Sequence, residues 1–140
     1  MSQENVQIVS GVYDAFGKGD VEAVLAQMDR AIEWNEAEHF PYADGNPYVG
    51  PQAILEGVFA RLMADWEGYT VTPEELLDAG DRVVGLGTYT GTYNATGREV
   101  RAQFAHVWGV REGKVVSFQQ YTDTKQFADA VQKSGLIASS

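Results

Sequence analysis

The sequence predicts an α+β fold in which three helices in the N-terminal half precede a strongly curved antiparallel sheet, and a short helix follows the sheet. Three observations predict it. Apolar residues recur at three- and four-residue steps in the first part of the chain, as on one face of a helix. From Tyr69 onward the apolar period changes to two, which is typical of strands. Short, turn-rich segments separate the strand-like runs, so consecutive strands are expected to pair antiparallel.

The helices are predicted from apolar stripes and from start and stop signals. The first helix has its stripe between Val6 and Phe16 and stops at Gly17. Asp20 is a favourable N-cap for the second helix. Pro51 begins the third, because the first helical position needs no N–H. Two adjacent apolar rows on the third helix suit a helix that lies across the concave side of a sheet.

The strands are predicted from the alternation of apolar residues. The segment AIEWNE, residues 31–36, is a short strand between the second and third helices. Four longer runs cover residues 69–77, 82–93, 100–111 and 114–121. Gly85, Gly87 and Gly91 lie inside one of these runs, and glycine within a strand often marks a bend or bulge. The sheet is therefore predicted to be strongly curved, and a last short helix is predicted over residues 124–132.

Length and composition limit the function classes. A chain of 140 residues falls within the usual range of roughly 100–200 residues for one domain, so residues 1–140 are predicted to form a single domain. The formal charge of -10 and the absence of a basic cluster argue against nucleic acid as a partner. No apolar run reaches the roughly 20 residues of a membrane helix, and no secretory signal is recognisable, so the expected location is cytoplasmic with no membrane partner. Without cysteine there are no disulfides and no thiol chemistry.

Three segments resemble the nuclear-transport-factor-2-like superfamily, namely VYDAFGKGDVEAVLAQM, YVGPQAILEGVF and HVWGVREGKVVSFQQYTD. Within it the chain is most similar to SnoaL-like and ketosteroid-isomerase-related proteins, over about residues 4–132. The resemblance implies a conical half-barrel with an apolar pocket whose mouth is partly covered by helices. It also implies a homodimer formed through the outer face of the sheet.

The catalytic acids of these relatives have no counterpart here. When the chain is aligned on its GD and GKVVS segments, the isomerase tyrosine falls at Val12, the base at Asn35 and the protonated acid at Ala105. Tyr13 is one position away, and because one helical step turns a side chain by about 100 degrees, it does not restore the match. The aspartate that cyclases of this kind share on the last strand aligns with Gln120, which cannot exchange a proton near neutral pH.

The remaining ionisable residues near the expected mouth give the catalytic candidates. His39 is a candidate general base because its reference pKa of about 6.5 suits neutral pH, with Glu36 or Glu38 to orient it. The alternative is a loop histidine hydrogen-bonded to the backbone. His106 lies in the middle of a strand, where either packing, a dimer-face hydrogen bond or a pocket role is open. Two histidines do not supply the convergent ligands of a metal site, so neither metal nor cofactor is expected.

The aromatic residues exceed what the apolar stripes of the helices require. A mostly apolar cavity with a few polar anchors is typical of a small-molecule site, and Trp and Tyr add polar tips. The residues predicted to contact a ligand are Trp34, Asn35, Tyr42, Phe59, Met63, Gln103, Phe118 and Gln120. Two functions remain open. One is binding of a small, largely apolar molecule, with isomerase-, cyclase- or dehydratase-like acid–base chemistry. The other is a non-catalytic ligand-binding or dimerisation module.

Overall fold

A computed structural model describes residues 2–132 and confirms the α+β class. The elements in chain order are α1 (Ser2–Gly17), α2 (Val21–Ala26), β1 (Met28–Asn35), a 3-10 turn (Ala43–Gly45), β2 (Tyr48–Val49), α3 (Pro51–Ile54), a π-helical turn (Leu55–Phe59), α4 (Ala60–Asp65), β3 (Trp66–Ala79), β4 (Arg82–Tyr93), β5 (Glu99–Arg111), β6 (Lys114–Thr122) and α5 (Thr124–Val131). No helix within these residues is long and apolar enough to cross a bilayer.

The six strands form one curved, unclosed sheet in the order β2-β1-β6-β5-β4-β3. Strands β3 to β6 pair antiparallel as a meander, as predicted. The expectation of a wholly antiparallel sheet is wrong in one place, because β1 pairs with β6 in parallel. After β1 the chain forms the third helix and enters the sheet at its far edge, so the meander returns β6 beside β1 in the same direction.

The helix signals act as predicted, with one addition. The Asp20 carboxylate caps α2 by accepting from the Ala23 N–H at 3.1 Å. The third helix begins at Pro51 but contains the π-helical turn, which the apolar spacing did not predict. Gly57 lies in that turn, and the Tyr48 ring occupies the space that a Cβ on Gly57 would fill. Glycine at this position therefore lets β2 and the helix approach closely.

Alternation along the strands decides which side chains reach the concave face. In β5 every second residue from Val100 to Trp108 is buried, and this set includes His106. In β1 the same alternation buries Ile32 and Trp34. Helix α1 packs against β3 and β4 and covers this face. The concave face is thus enclosed, and the polar groups on it lie in the interior.

Candidate functional site

A narrow cavity lies between the concave face of the sheet and the helices. It holds about 480 Å³ of space free of atoms, part of it open to solvent, and about 50 Å³ of this admits the centre of a water molecule. Most of the wall is aromatic or aliphatic. Six residues place a hydroxyl, carboxyl, imidazole or amide group in the wall, and these are Tyr13, Glu36, Tyr69, Tyr89, His106 and Gln120. This is the composition of a small-molecule site, namely apolar walls with few polar groups.

A surface groove adjoins the cavity. The two share Phe16, Phe59, Leu62 and Tyr69 as wall residues, so they lie next to each other. Met63, which is 60% exposed, lies in the groove only. The groove runs between the end of α1, the start of α2 and α4, beside the cavity.

Glu36 is a buried carboxyl in the cavity wall. It follows the last residue of β1 and continues the inward alternation of Ile32 and Trp34. The Trp34 indole N–H donates to Glu36 Oε2 at 2.8 Å. The backbone is clamped by Asn46, whose Oδ1 accepts from the Glu36 N–H at 3.0 Å and whose Nδ2 donates to the Glu36 carbonyl at 2.8 Å. The carboxyl is therefore held in one position.

The surroundings of Glu36 change its acidity. Burial raises the pKa of Glu36 from 4.5 to about 7, against smaller lowering effects of the Trp34 hydrogen bond and the Arg61 charge. Burial also raises the pKa of Tyr69 and Tyr89, with a smaller contribution from the Glu36 charge, so the carboxyl acts on both tyrosines. A carboxyl with a pKa of about 7 exchanges protons readily near neutral pH.

A second polar feature, the cavity network, is a chain of hydrogen bonds centred on His106. Nδ1 of His106 bonds the Tyr13 hydroxyl at 2.7 Å, and Nε2 bonds the Tyr89 hydroxyl. The Trp108 indole N–H donates to the Tyr13 oxygen at 3.0 Å. The Gln120 amide donates to the Tyr89 oxygen at 2.9 Å. These five side chains are all buried.

The register of the strands assembles this network. His106 lies directly opposite Gln120 on one side and Gly85 on the other. Because a Cβ on Gly85 would collide with the Tyr13 hydroxyl, glycine there admits the tyrosine from α1. Gln120 is oriented from its other end, since its Oε1 accepts from the Ala37 N–H at 3.0 Å. Three strands and one helix thus fix the positions of the network's donors and acceptors.

The network carries no charge at neutral pH. Burial lowers the pKa of His106 to about 3, so the imidazole is neutral. Burial raises the pKa of both Tyr13 and Tyr89, which keeps their hydroxyls protonated. Ionisation in the cavity wall near neutral pH is therefore a property of Glu36.

The structure brings half of the predicted site residues to the cavity. The residues that line it are Trp34, Glu36, Phe59, Phe118 and Gln120. Trp34 and Phe118 are cross-strand neighbours with ring centroids 3.8 Å apart, and Phe59 meets the Trp34 ring edge-on. Their assignment to ligand contact or catalysis stays a prediction, now with a defined location.

The other five predicted site residues lie outside the cavity wall. His39 is exposed in the loop after β1, where its backbone φ is 72°. Asn35 has the opposite strand parity to Trp34 and Glu36 and lines a polar surface groove. Gln103 is exposed, because its neighbour Phe104 takes the inward position. Met63 lies in the surface groove beside the cavity. Tyr42 is buried elsewhere, and its hydroxyl donates to Asp65 at 2.6 Å.

Sequence reasoning missed part of the cavity wall. Tyr13 lies one helical step from Val12, where the resemblance places a catalytic tyrosine, yet both residues border the cavity, since α1 lies along it. His106 has the strand parity of Phe104 and Trp108, which left packing, a dimer-face hydrogen bond and a pocket role open, and the structure places its ring in the cavity wall. Tyr89 had no individual signal beyond its aromatic character. Within residues 2–132 no group of three or more His, Asp or Glu side chains is placed to hold a metal ion.

Comparisons with known proteins agree with this architecture. A family model described as SnoaL-like domain matches residues 9–118. An NTF2-like protein from Burkholderia thailandensis E264 is 44% identical, with a TM-score of 0.87 over 91% of this chain and 96% of that one. TerC, co-crystallised with polyporic acid, is 29% identical, with a TM-score of 0.81 over 91% of this chain and 97% of that one.

A protein from Jannaschia sp. CCS1 that is described as a SnoaL-like polyketide cyclase is 18% identical, with a TM-score of 0.79 over 92% of each chain. This similarity shows the shared fold alone. Among curated proteins there is no match. The family model covers most of the chain and the solved structures share its sheet and helices. The chain belongs to the SnoaL-like domain family and has the NTF2-like fold.

Proposed function

We propose that the protein binds a small, largely apolar molecule in the cavity and that Glu36 transfers a proton to or from it, in an isomerase-, cyclase- or dehydratase-like reaction. One observation carries this proposal. A buried carboxyl, which accepts from Trp34 and whose backbone is held by Asn46, shares the wall of an apolar cavity with an uncharged set of hydrogen-bonding groups. Such a pairing of an ionisable group with fixed neutral donors is typical of general acid–base sites.

Binding is supported by the walls and by one unused hydroxyl. Trp34, Phe59, Trp108 and Phe118 give large apolar faces to a guest. The Tyr69 hydroxyl makes no hydrogen bond to any residue between 2 and 132, although the side chain lines the cavity. It is therefore available to a polar atom of the guest. Similarity to TerC, which was crystallised with polyporic acid, supports a small organic molecule as the guest.

The proton step follows from the position of Glu36. As a carboxylate it accepts a proton from one atom of the guest, and returning that proton to another atom regenerates the carboxylate. Negative charge that develops on a guest oxygen is stabilised by the tyrosine hydroxyls across the cavity. Glu36 also borders the polar surface groove that Asn35 and Glu38 line, which allows exchange of its proton with water.

Exchange of the α-protons of cyclohexanone in deuterium oxide, followed by proton NMR, tests the proposal with a small apolar ketone. We expect the wild type to accelerate the exchange and Glu36→Gln to lose about a hundredfold or more of that acceleration. Glu33→Gln is the matched control, because Glu33 is exposed on β1 shortly before Glu36, and it should retain the wild-type rate. Equal rates in the wild type and Glu36→Gln would remove the catalytic part.

A non-catalytic binding module is the second candidate. It is favoured by Gln120, which stands where the resemblance places a catalytic aspartate and which is committed to Ala37 and Tyr89. If the protein is a non-catalytic binding module, cyclohexanone changes the fluorescence of Trp34 and Trp108 equally in the wild type and Glu36→Gln, and neither protein accelerates the exchange of its α-protons.

The homodimer through the outer face of the sheet and the cytoplasmic location stay predictions. A sedimentation mass of one chain at micromolar concentration would count against the dimer.

A further inference from the structure

The cavity network has more hydrogen-bond donors than it uses. At its two ends the roles are fixed. The Trp108 indole has a donor and no acceptor, so it donates to the Tyr13 oxygen. Gln120 accepts from the Ala37 backbone N–H through Oε1, so its amide nitrogen must be the group that donates to the Tyr89 oxygen. Each tyrosine oxygen therefore accepts one bond before His106 is considered.

The centre of the network leaves one proton over. A neutral imidazole has one N–H donor and one bare nitrogen that accepts. His106 bonds a tyrosine hydroxyl through each nitrogen, so one tyrosine donates to the bare nitrogen and the other accepts from the N–H. The accepting tyrosine keeps its own hydroxyl proton. The hydrogen bonds of residues 2–132 give neither hydroxyl another acceptor, and both tyrosines line the cavity.

The two tautomers of His106 make equivalent sets of hydrogen bonds. With the proton on Nδ1, the imidazole donates to Tyr13 and the free hydroxyl is that of Tyr13. With the proton on Nε2, the free hydroxyl is that of Tyr89. Each arrangement makes the same four bonds, because Trp108 and Gln120 donate to the two tyrosine oxygens in both. The surrounding protein thus leaves the choice of tautomer open to a further contact.

We propose that His106 is a tautomeric switch in the cavity wall. Its tautomer decides whether the free hydroxyl is that of Tyr13 or that of Tyr89, and a bound guest selects the hydroxyl that lies nearest its acceptor oxygen. The inference rests on the proposed function, because it requires a guest in the cavity. It also narrows the class of guest to apolar molecules with one exposed acceptor oxygen, such as a ketone. His106 is on this account a positioning residue, which acts on the guest through the tyrosines.

Ring NMR of nitrogen-15-labelled histidine tests the switch, since it distinguishes the tautomers. The chain has two histidines, so a His39→Gln background leaves His106 as the one histidine signal. Tyr13→Phe should place the proton on Nε2, because an N–H on Nδ1 would then be buried without an acceptor. Tyr89→Phe should place it on Nδ1 for the same reason. The same tautomer in both variants overturns the proposal.

A second arm uses a protein that keeps the whole network, in case a tyrosine variant does not fold. Cyclohexanone and the matched hydrocarbon methylenecyclohexane are added to the same His39→Gln background. The ketone should change the ratio of His106 tautomers by about fivefold, the effect of one net hydrogen bond, and the hydrocarbon should leave the ratio unchanged. Binding of both probes with an unchanged ratio overturns the switch and leaves the proposed function standing. Binding of neither counts against the proposed function, while the tyrosine variants still decide the switch.

Discussion

The end of β1 and the middle of β5 each place one titratable side chain in the same cavity wall, and the pKa values of the two side chains shift in opposite directions. Glu36, after β1, accepts one hydrogen bond from Trp34, and burial raises its pKa to about 7. His106, in β5, lies between two hydroxyls, and burial lowers its pKa to about 3. Burial favours the neutral form in both cases. A carboxyl is neutral when it is protonated, and an imidazole is neutral when it is deprotonated. Burial therefore raises the pKa of the carboxyl to near neutral pH and lowers the pKa of the imidazole far below neutral pH.

One apolar environment thus gives a carboxyl and an imidazole two different roles. The carboxyl becomes the group that gains and loses a proton under physiological conditions. The imidazole stays uncharged and directs hydrogen bonds without ionising. A cavity of this kind therefore needs no second charged residue to combine proton transfer with stabilisation of a guest oxygen. Variants at each region should show this division of roles.

The largest expected effect is on the pH dependence of stability in Glu36→Gln. The folded-state pKa of about 7 lies above the ordinary 4.5, so between these values the native state binds more protons than the unfolded state. Wild-type stability therefore falls as pH rises through this window, and the loss persists at higher pH. The free energy of unfolding of Glu36→Gln minus that of the wild type should therefore increase by about 3 kcal/mol from about pH 4.5 to pH 8.

Urea unfolding over this pH range measures the difference. Glutamine retains the size of the side chain and an oxygen that accepts from Trp34. Glu33→Gln serves as control, because its exposed carboxyl should leave the profile parallel to that of the wild type. Parallel profiles for Glu36→Gln and the wild type would show that the Glu36 carboxyl is not perturbed.

A smaller effect, and one without pH dependence, is expected from Gln120→Leu in the other region. The change leaves the Ala37 N–H unpaired in the interior and removes the donor to Tyr89. We expect a loss of about 1–3 kcal/mol in the free energy of unfolding, equal at pH 5 and pH 8. Gln103→Leu on the exposed face of β5 is the control and should change stability by less than about 0.5 kcal/mol. A loss in Gln120→Leu that varied with pH would mean that the network includes an ionised group.

The smallest effect concerns the influence of Arg61 on the carboxyl. The Arg61 charge lowers the pKa of Glu36, against the larger effect of burial. Arg61→Gln should therefore raise the midpoint of the Glu36 titration, followed by NMR of the carboxyl carbon. The ion pair of Arg61 with Asp44 is partly exposed, so its loss should cost about 1 kcal/mol or less. Lys125→Gln removes a distant exposed charge and should not move the midpoint, and a lower midpoint in Arg61→Gln would contradict this assignment.

The fold was predictable because its signals are local. Helical spacing, the Asp20 cap and Pro51 located the helices, and period-two runs located β3 to β6. The parallel pairing of β1 with β6 was not predicted, since it depends on where the third helix returns the chain to the sheet. The π-helical turn was missed for a similar reason, because it accompanies the contact of Gly57 with the Tyr48 ring, and these residues meet only in the folded chain.

The site was predictable only in part, because its contacts join distant segments. Glu36 was a candidate, and the alternation of β1 explains its inward position. The network depends on Tyr13 and His106, which are 93 residues apart, and on the space left by Gly85. No spacing rule within the sequence connects these residues. His39 is the catalytic candidate of the sequence because the reference pKa of histidine suits neutral pH and glutamates lie nearby, but its side chain is exposed in the loop. His106 reaches the cavity wall because it shares the strand parity of Phe104 and Trp108.

Titration of the wild-type protein by carbon-13 NMR of the Glu36 carboxyl, with the His106 ring followed by nitrogen-15 NMR in the same sample, tests the division of roles most directly. We expect a Glu36 midpoint at about 7 and an imidazole that remains neutral from about pH 8 down to pH 5. A Glu36 midpoint near 4.5, or a His106 ring that gains a proton near its ordinary pKa of about 6.5, would contradict it.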